Sequence, residues 1–196
     1  MQKNKLPNGA TPLDIDELKG LKAKHITTQQ ELNELEQANI QSGLIWLSKN
    51  RRKDILTDNF LRTLHKKLFG KVWAWAGNYR LNEKNIGIDP FYISVETYKL
   101  LDSATFWAEQ TTYPPLEAAA RFHHRLVQIH LFPNGNGRHA RIATDLYLEK
   151  YFNHKQINWT DGFNLQIDNN RRTEYINALR KADKGDYNPL FKFIGL

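Results

Sequence analysis

Cysteine is absent from all 196 residues, which excludes a disulfide scaffold and thiolate zinc sites and fits a reducing compartment. No window approaches a membrane span, and the first ten residues, Met1 to Ala10, lack the apolar core of a secretory leader. Internal repeats and low-complexity tracts are missing as well, so no repeat architecture is expected. These absences predict a cytoplasmic chain of one domain, or one domain with an appendage, long enough to bury a real core. The seven histidines form no pair at metal-helix spacing beside a carboxylate base. His123, His124 and His139 are therefore read as packing residues.

What is present is aromatic and basic. Five Trp and ten Phe supply large apolar bodies for a core, and the net charge is +7. That charge suits a phosphate-bearing partner and raises the non-enzyme alternative of a nucleic-acid-binding module, with Lys49-Asn50-Arg51-Arg52-Lys53 and Arg171-Arg172 as contacts. Those clusters are short, and Phe122 to Arg125 are better used in a helix than as a stacking platform, which argues against nucleic acid.

The densest chemistry lies in His130-Leu131-Phe132-Pro133-Asn134-Gly135-Asn136-Gly137-Arg138-His139-Ala140-Arg141. The preceding Pro115 to Ile129 carries an early Pro, a Glu in the first turn and apolar residues at helical spacing, predicting a helix that ends near His130. Pro133 and Asn134 break it, and amphipathic periodicity resumes from Arg138 to Phe152. A glycine-containing loop opening onto a helix N-terminus offers unpaired N–H groups and a positive dipole end to an anion. Arg138 and Arg141 stand three apart, sharing a face where guanidinium forks suit phosphate oxygens. An imidazole at His130 could accept a proton from an attacking hydroxyl. The run thus combines a base, an anion loop and two arginines.

This segment resembles the Fic (Fido) signature, His-x-Phe-x-(Asp/Glu)-Gly-Asn-Gly-Arg-x-x-Arg, at His130, Phe132, Gly135, Asn136, Gly137, Arg138 and Arg141. The resemblance implies a mainly α fold, a helical bundle around a central helix–loop–helix with one small β-hairpin flap. It implies an adenylyltransferase that moves AMP from ATP onto a Ser, Thr or Tyr hydroxyl of a protein, with His130 as base. Gly135, Asn136, Gly137, Arg138 and Arg141 would hold the phosphates. Mg2+ or Mn2+ would accompany ATP, yet Asn134 stands where the family has a carboxylate, giving a metal ligand without the charge. Use of another nucleotide donor, removal of AMP, or weak activity are the enzyme alternatives.

The likeness extends outward. Trp75 to Arg80, then Asn85-Ile86-Gly87-Ile88 and Phe91-Tyr92-Ile93-Ser94, are similar to the family's target-binding flap, read as two short strands and a turn. Tyr175 and Asp183, in a segment similar to the closing helix pair, are implied for the adenine and ribose pocket. The capping-box pattern Thr28-Gln29-Gln30-Glu31 predicts one helix from Thr28 to about Ser48. By analogy with the family's inhibitory helix, Glu36 is the expected partner of Arg141, with Glu31 second. Residues 1–50 are thus assigned to an arm and inhibitory helix, and residues 51–196 to the catalytic domain. Length and arrangement also resemble the Fic proteins of mobile elements called mobile mystery protein B, which implies a bacterial source, an antitoxin-like partner encoded nearby and a homodimer as an open option.

Overall fold

The computed structural model describes residues 7–50 and 54–196; Met1 to Leu6 and the Arg51-Arg52-Lys53 part of the basic cluster lie outside it. The described chain is built from helices α1 (Ile15–Lys19), α2 (Gln29–Ser48), α3 (Asp58–Phe69), α4 (Ile93–Glu109), α5 (Pro115–Ile129), α6 (Asn136–Phe152), α7 (Asn170–Ala182) and α8 (Asn188–Ile194). A lone antiparallel bridge joins Leu21 to Trp73.

Local chemistry sets the helix starts. Thr28 caps α2, its hydroxyl accepting from Glu31 N while Glu31 Oε2 accepts from Thr28 N, so the predicted capping box forms. Thr57 caps α3 through Phe60 N, and Asn169 caps α7 through Arg172 N. Pro115 opens α5 at a position where its missing N–H costs nothing.

Helix α5 is the axis of the molecule. Ala118, Phe122, Leu126 and Ile129 face one core with Leu64, Leu68 and Phe69 of α3, while Ala119 and Ala120 face a second core with Tyr175, Leu179 and Leu190 from α7 and α8. Three successive small residues keep α5 thin enough to be buried on both sides. Each large apolar side chain removed from water here contributes about 1.5–3 kcal/mol. Leu32, Ile40 and Leu47 of α2 join the first core, so the helix assigned to the N-terminal unit shares the core of the segment that follows it. Gly43 lets α2 lie close on α3, since a Cβ there would stand 2.9 Å from Lys67 O and from Leu68 Cδ2.

One expectation is corrected in detail. Residues 85–88 and 91–94 form no hairpin: the first stretch is a loop, and Phe91 and Tyr92 belong to a short 3-10 turn, Pro90–Tyr92, that runs into α4. Asp89 Oδ1 accepts from Phe91 N at 2.8 Å and Pro90 occupies the first turn, so helix initiation overrides the alternating pattern read as strand.

Candidate active site

The break between α5 and α6 builds the site. His130 ends α5 in the left-handed region, φ 58° and ψ 63°, an unusual conformation for a side chain of this size. Gly135, φ 78°, starts α6, and a Cβ there would lie 2.7 Å from the Phe69 ring. Between them Phe132 is fully buried, stacked on His65 with centroids 3.7 Å apart and edge-on to His139.

Asn136 reaches back to Phe132. Its Oδ1 accepts from Phe132 N at 2.9 Å and its Nδ2 donates to Phe132 O at 2.7 Å. The side chain therefore braces the loop from inside, and Asn136 has its backbone, not its amide, available to a ligand. His65 adds a second brace. Its Nδ1 accepts from Gly77 N at 3.0 Å, so Nε2 carries the proton and donates to Asn134 O at 3.0 Å. Burial holds the His65 imidazole neutral, well below the ordinary histidine range, with His139 a further cause.

His130, Asn134, Gly135, Gly137, Arg138 and Arg141 line one cavity of about 870 Å³, large enough for a nucleotide-sized molecule. Gly137 is informative: a Cβ there would meet nothing closer than Arg141 Nη1 at 3.6 Å and Tyr175 OH at 3.8 Å. Packing alone does not demand glycine at this position, whereas a ligand resting on the helix N-terminus would.

The His130 ring is buried. Its Nε2 lies 3.1 Å from Thr11 Oγ1, and its Nδ1 has no partner among the described residues. Burial, reinforced by the nearby Arg80 charge, lowers its pKa to about 4, so the ring is neutral at physiological pH. For Nε2 to accept a proton, the ring proton must sit on Nδ1.

The acidic partner of the site departs from expectation. Glu36 pairs with Arg138, not Arg141: Arg138 Nη1 donates to Glu36 Oε2 at 2.6 Å, and Trp73 Nε1 donates to Glu36 Oε1 at 2.7 Å. The reason is geometric. Arg138 sits in the first turn of α6 over the Phe69 ring, 4.7 Å from its centroid, on the side facing α2. Arg141, almost one turn on, lies over Tyr175 of α7, 5.6 Å from the ring centroid. Glu31, the second choice, is engaged in the cap of α2.

The two residues expected for an adenine pocket divide. Tyr175 is buried, its hydroxyl 2.9 Å from His123 Nε2, and it supports Arg141 from below. Asp183 lies half-exposed at the rim of the same cavity, accepting from His124 Nε2 at 3.0 Å and from Gln128 Nε2 at 3.2 Å. Asn134 Oδ1 accepts from Gly135 N at 2.6 Å, so the oxygen at the metal position is turned onto its own loop. Among the described residues no group of three or more His, Cys, Asp or Glu could hold a metal. The residues present do not fit a resident divalent ion.

Sequence reasoning passed over Arg80, which ties the 82–88 loop to His130. This arginine is buried; it donates from Nε to His130 O at 2.6 Å, from Nη1 to Asn82 O at 2.9 Å, and from Nη2 to Ile88 O. Gly87, φ 102°, makes the approach possible: a Cβ there would come within 2.7 Å of both Arg80 Nη2 and His130 Cβ. An arginine at the end of the aromatic run Trp75 to Arg80 was the only available signal. Arg80→Met should leave the buried His130 carbonyl and the partly buried carbonyls of Asn82 and Ile88 without this donor and destabilise the protein by about 3 kcal/mol. A fall in thermal midpoint of roughly 6–12 °C is expected at this chain length; an unchanged midpoint in calorimetry would refute the clamp.

Fold and site together define a helical domain in which a histidine, a glycine loop at a helix N-terminus and two arginines face one nucleotide-sized cavity. The chain carries a Fic/DOC family domain, matched over residues 55–148. It is 27% identical over 157 residues to the protein adenylyltransferase fic-1 of Caenorhabditis elegans, covering 76% of this chain and 28% of that protein. It is 28% identical over 170 residues to the protein adenylyltransferase Fic of Drosophila melanogaster, covering 84% and 32%. The chain thus spans about a third or less of the length of these relatives. Among solved structures, BepC of Bartonella tribocorum with bound AMPPNP superposes with a TM-score of 0.69 at 16% identity, covering 92% of this chain and 96% of that one. The fold is the same. No helix among the described residues is long and apolar enough to cross a membrane.

Proposed function

We propose that this domain is a protein adenylyltransferase, transferring AMP from ATP to a hydroxyl of a protein substrate, held in check by α2. The observation that carries the reading is the convergence of His130, the Gly135 to Gly137 helix start, Arg138 and Arg141 on one cavity. His130 Nε2 takes the proton of the incoming hydroxyl. The α6 N-terminus and the two guanidinium groups hold the phosphate chain and the charge that builds on it as pyrophosphate leaves. Such transfers depend chiefly on position and electrostatics, which this rigid loop supplies. The names and sequences of the curated relatives support the same activity. Any Mg2+ or Mn2+ would arrive on the ATP phosphates and be held by them, since Asn134 Oδ1 is engaged by Gly135 N.

Glu36 is the inhibitory residue in this reading, acting on Arg138. Its carboxylate, fixed by Trp73, occupies a guanidinium that would otherwise face phosphate. A largely buried pair of this kind resists an incoming anion because the arginine cannot serve both partners. The arm and α2 are then a regulatory unit, and the rest of the chain catalytic.

Glu36→Gly should raise ATP affinity by about tenfold, equivalent to 1.4 kcal/mol, and increase AMP incorporation in parallel. Calorimetric titration with ATP and transfer from ATP labelled at the α-phosphate check both. Equal affinity and equal labelling in mutant and parent would remove Glu36 from the account.

A further inference from the structure

The base is not facing solvent: it faces the chain's own N-terminal arm. Residues 7–14 run across the mouth of the cavity, between the 82–88 loop and α7. On the α7 side Arg172 Nε donates to Asn8 O at 2.9 Å, Asn8 N donates to Asp168 Oδ1 at 2.8 Å, and Gly9 lies so near Ile176 that a Cβ would meet its Cδ1 at 2.7 Å. On the loop side Asn85 Nδ2 donates to Ala10 O at 3.2 Å and Lys84 Nζ donates to Pro12 O at 3.3 Å. Lys84 is itself fixed by Asp14 at 2.9 Å and by Glu17.

These contacts select one residue. The carbonyls immediately before and after Thr11 are each gripped by a neighbouring residue of the 82–88 loop, and the hydroxyl between them is 3.1 Å from His130 Nε2. Around Thr11 the grip is on backbone, which recognises an extended chain whatever its sequence; side chains anchor the arm at its ends, Asn8 to Arg180 and Asp14 to Lys84, and between them the Thr11 hydroxyl is the one addressed. Thr11 Oγ1 thus stands where an acceptor hydroxyl must stand to lose its proton to the base. From Thr11 the same cavity continues past His130 to Gly137, Arg138 and Arg141.

We propose that the arm is a substrate segment bound in cis and that Thr11 is the site of self-adenylylation. This rests on the transferase reading above. Thr11 Oγ1 bonds to the α-phosphorus of ATP, its proton passes to His130 Nε2, and the bond from the α-phosphorus to the bridging oxygen breaks. Pyrophosphate leaves with that electron pair, and the product is a Thr11–AMP phosphodiester. Asn85 and Lys84 are positioning residues for the step. Attached to Thr11, AMP would leave the arm too bulky for its former seat, so modification also displaces the segment that covers the base.

The test uses the full chain carrying Glu36→Gly, incubated with ATP and mapped by tandem mass spectrometry. AMP is expected on Thr11, at a rate per molecule that does not change on dilution, and absent when His130→Asn is added. Asn85→Ala should slow Thr11 modification several-fold while ATP affinity, measured by titration, is unchanged. AMP attached elsewhere in a His130-dependent manner, with Thr11 unmodified, would overturn the Thr11 assignment and leave the transferase reading standing. A Thr11 rate proportional to protein concentration would overturn transfer in cis. No AMP on any residue and no pyrophosphate released would overturn both readings.

Discussion

His130→Asn should lower AMP transfer by about 10²- to 10⁴-fold, the range in which a positioned general base contributes. Asparagine is the better probe than alanine for a physical reason. His130 has φ 58°, and among residues with a side chain Asn tolerates that region best, so the substitution removes the imidazole at little backbone cost. His130→Ala adds backbone strain and tests the fold along with the chemistry. Both variants should bind ATP as tightly as the parent, because the phosphate contacts proposed here lie on α6. A transfer rate within threefold of the parent in the Asn variant, with normal ATP affinity, would mean another group takes the proton.

The second large effect is on stability. His65, His123, His130 and His139 are all buried and all held neutral, chiefly by burial: His130 and His139 at about 4, His65 and His123 well below their ordinary value. In the unfolded chain each takes up a proton near 6.5. Between the two values the unfolded state binds more protons, so stability is lost as pH falls from about 6.5 toward 4. Each histidine contributes up to about 1.4 kcal/mol per pH unit. Four together give about 5 kcal/mol between pH 6 and pH 5 by the same linkage.

Asp145 works the other way. Burial raises its carboxyl to about 6, though Ile157 N and Trp159 Nε1 donate to it. In the same interval it favours the folded state by about 1 kcal/mol as pH falls. A net loss of about 4 kcal/mol is a large part of a typical domain's stability. Urea titrations at pH 7, 6 and 5 should show it, and equal midpoints at pH 6 and pH 5 would contradict neutral burial of the four rings.

Much of this was legible in the sequence where chemistry is local. The helix from Thr28 follows from a capping box four residues long, and the helix pair around His130 from Pro115, the Gly135 to Gly137 loop and apolar spacing. The site residues within Asn134 to Arg141 are close in sequence, so their convergence needs only one turn. Pairings between distant elements were not legible. Which arginine meets Glu36 depends on the side of α6 that faces α2, fixed by the approach of α2 to α3 at Gly43. Arg80 and His65 act through backbone carbonyls, which leave no trace in residue type. The Tyr92 and Ser94 alternation pointed to a strand, but Asp89 and Pro90 had already committed that stretch to a helix start. Nothing in the residue type of Thr11 singles it out from the rest of the arm, and only the folded chain brings it to His130.

The most direct test of the central claim compares two labels. The Glu36→Gly protein is incubated with ATP carrying the label at the α-phosphate, in parallel with ATP labelled at the γ-phosphate, each beside a version that also carries His130→Asn. Protein-bound label is expected from the α-position alone, and lost with His130→Asn. Label transferred from the γ-position, or α-label that persists without His130, would contradict that claim.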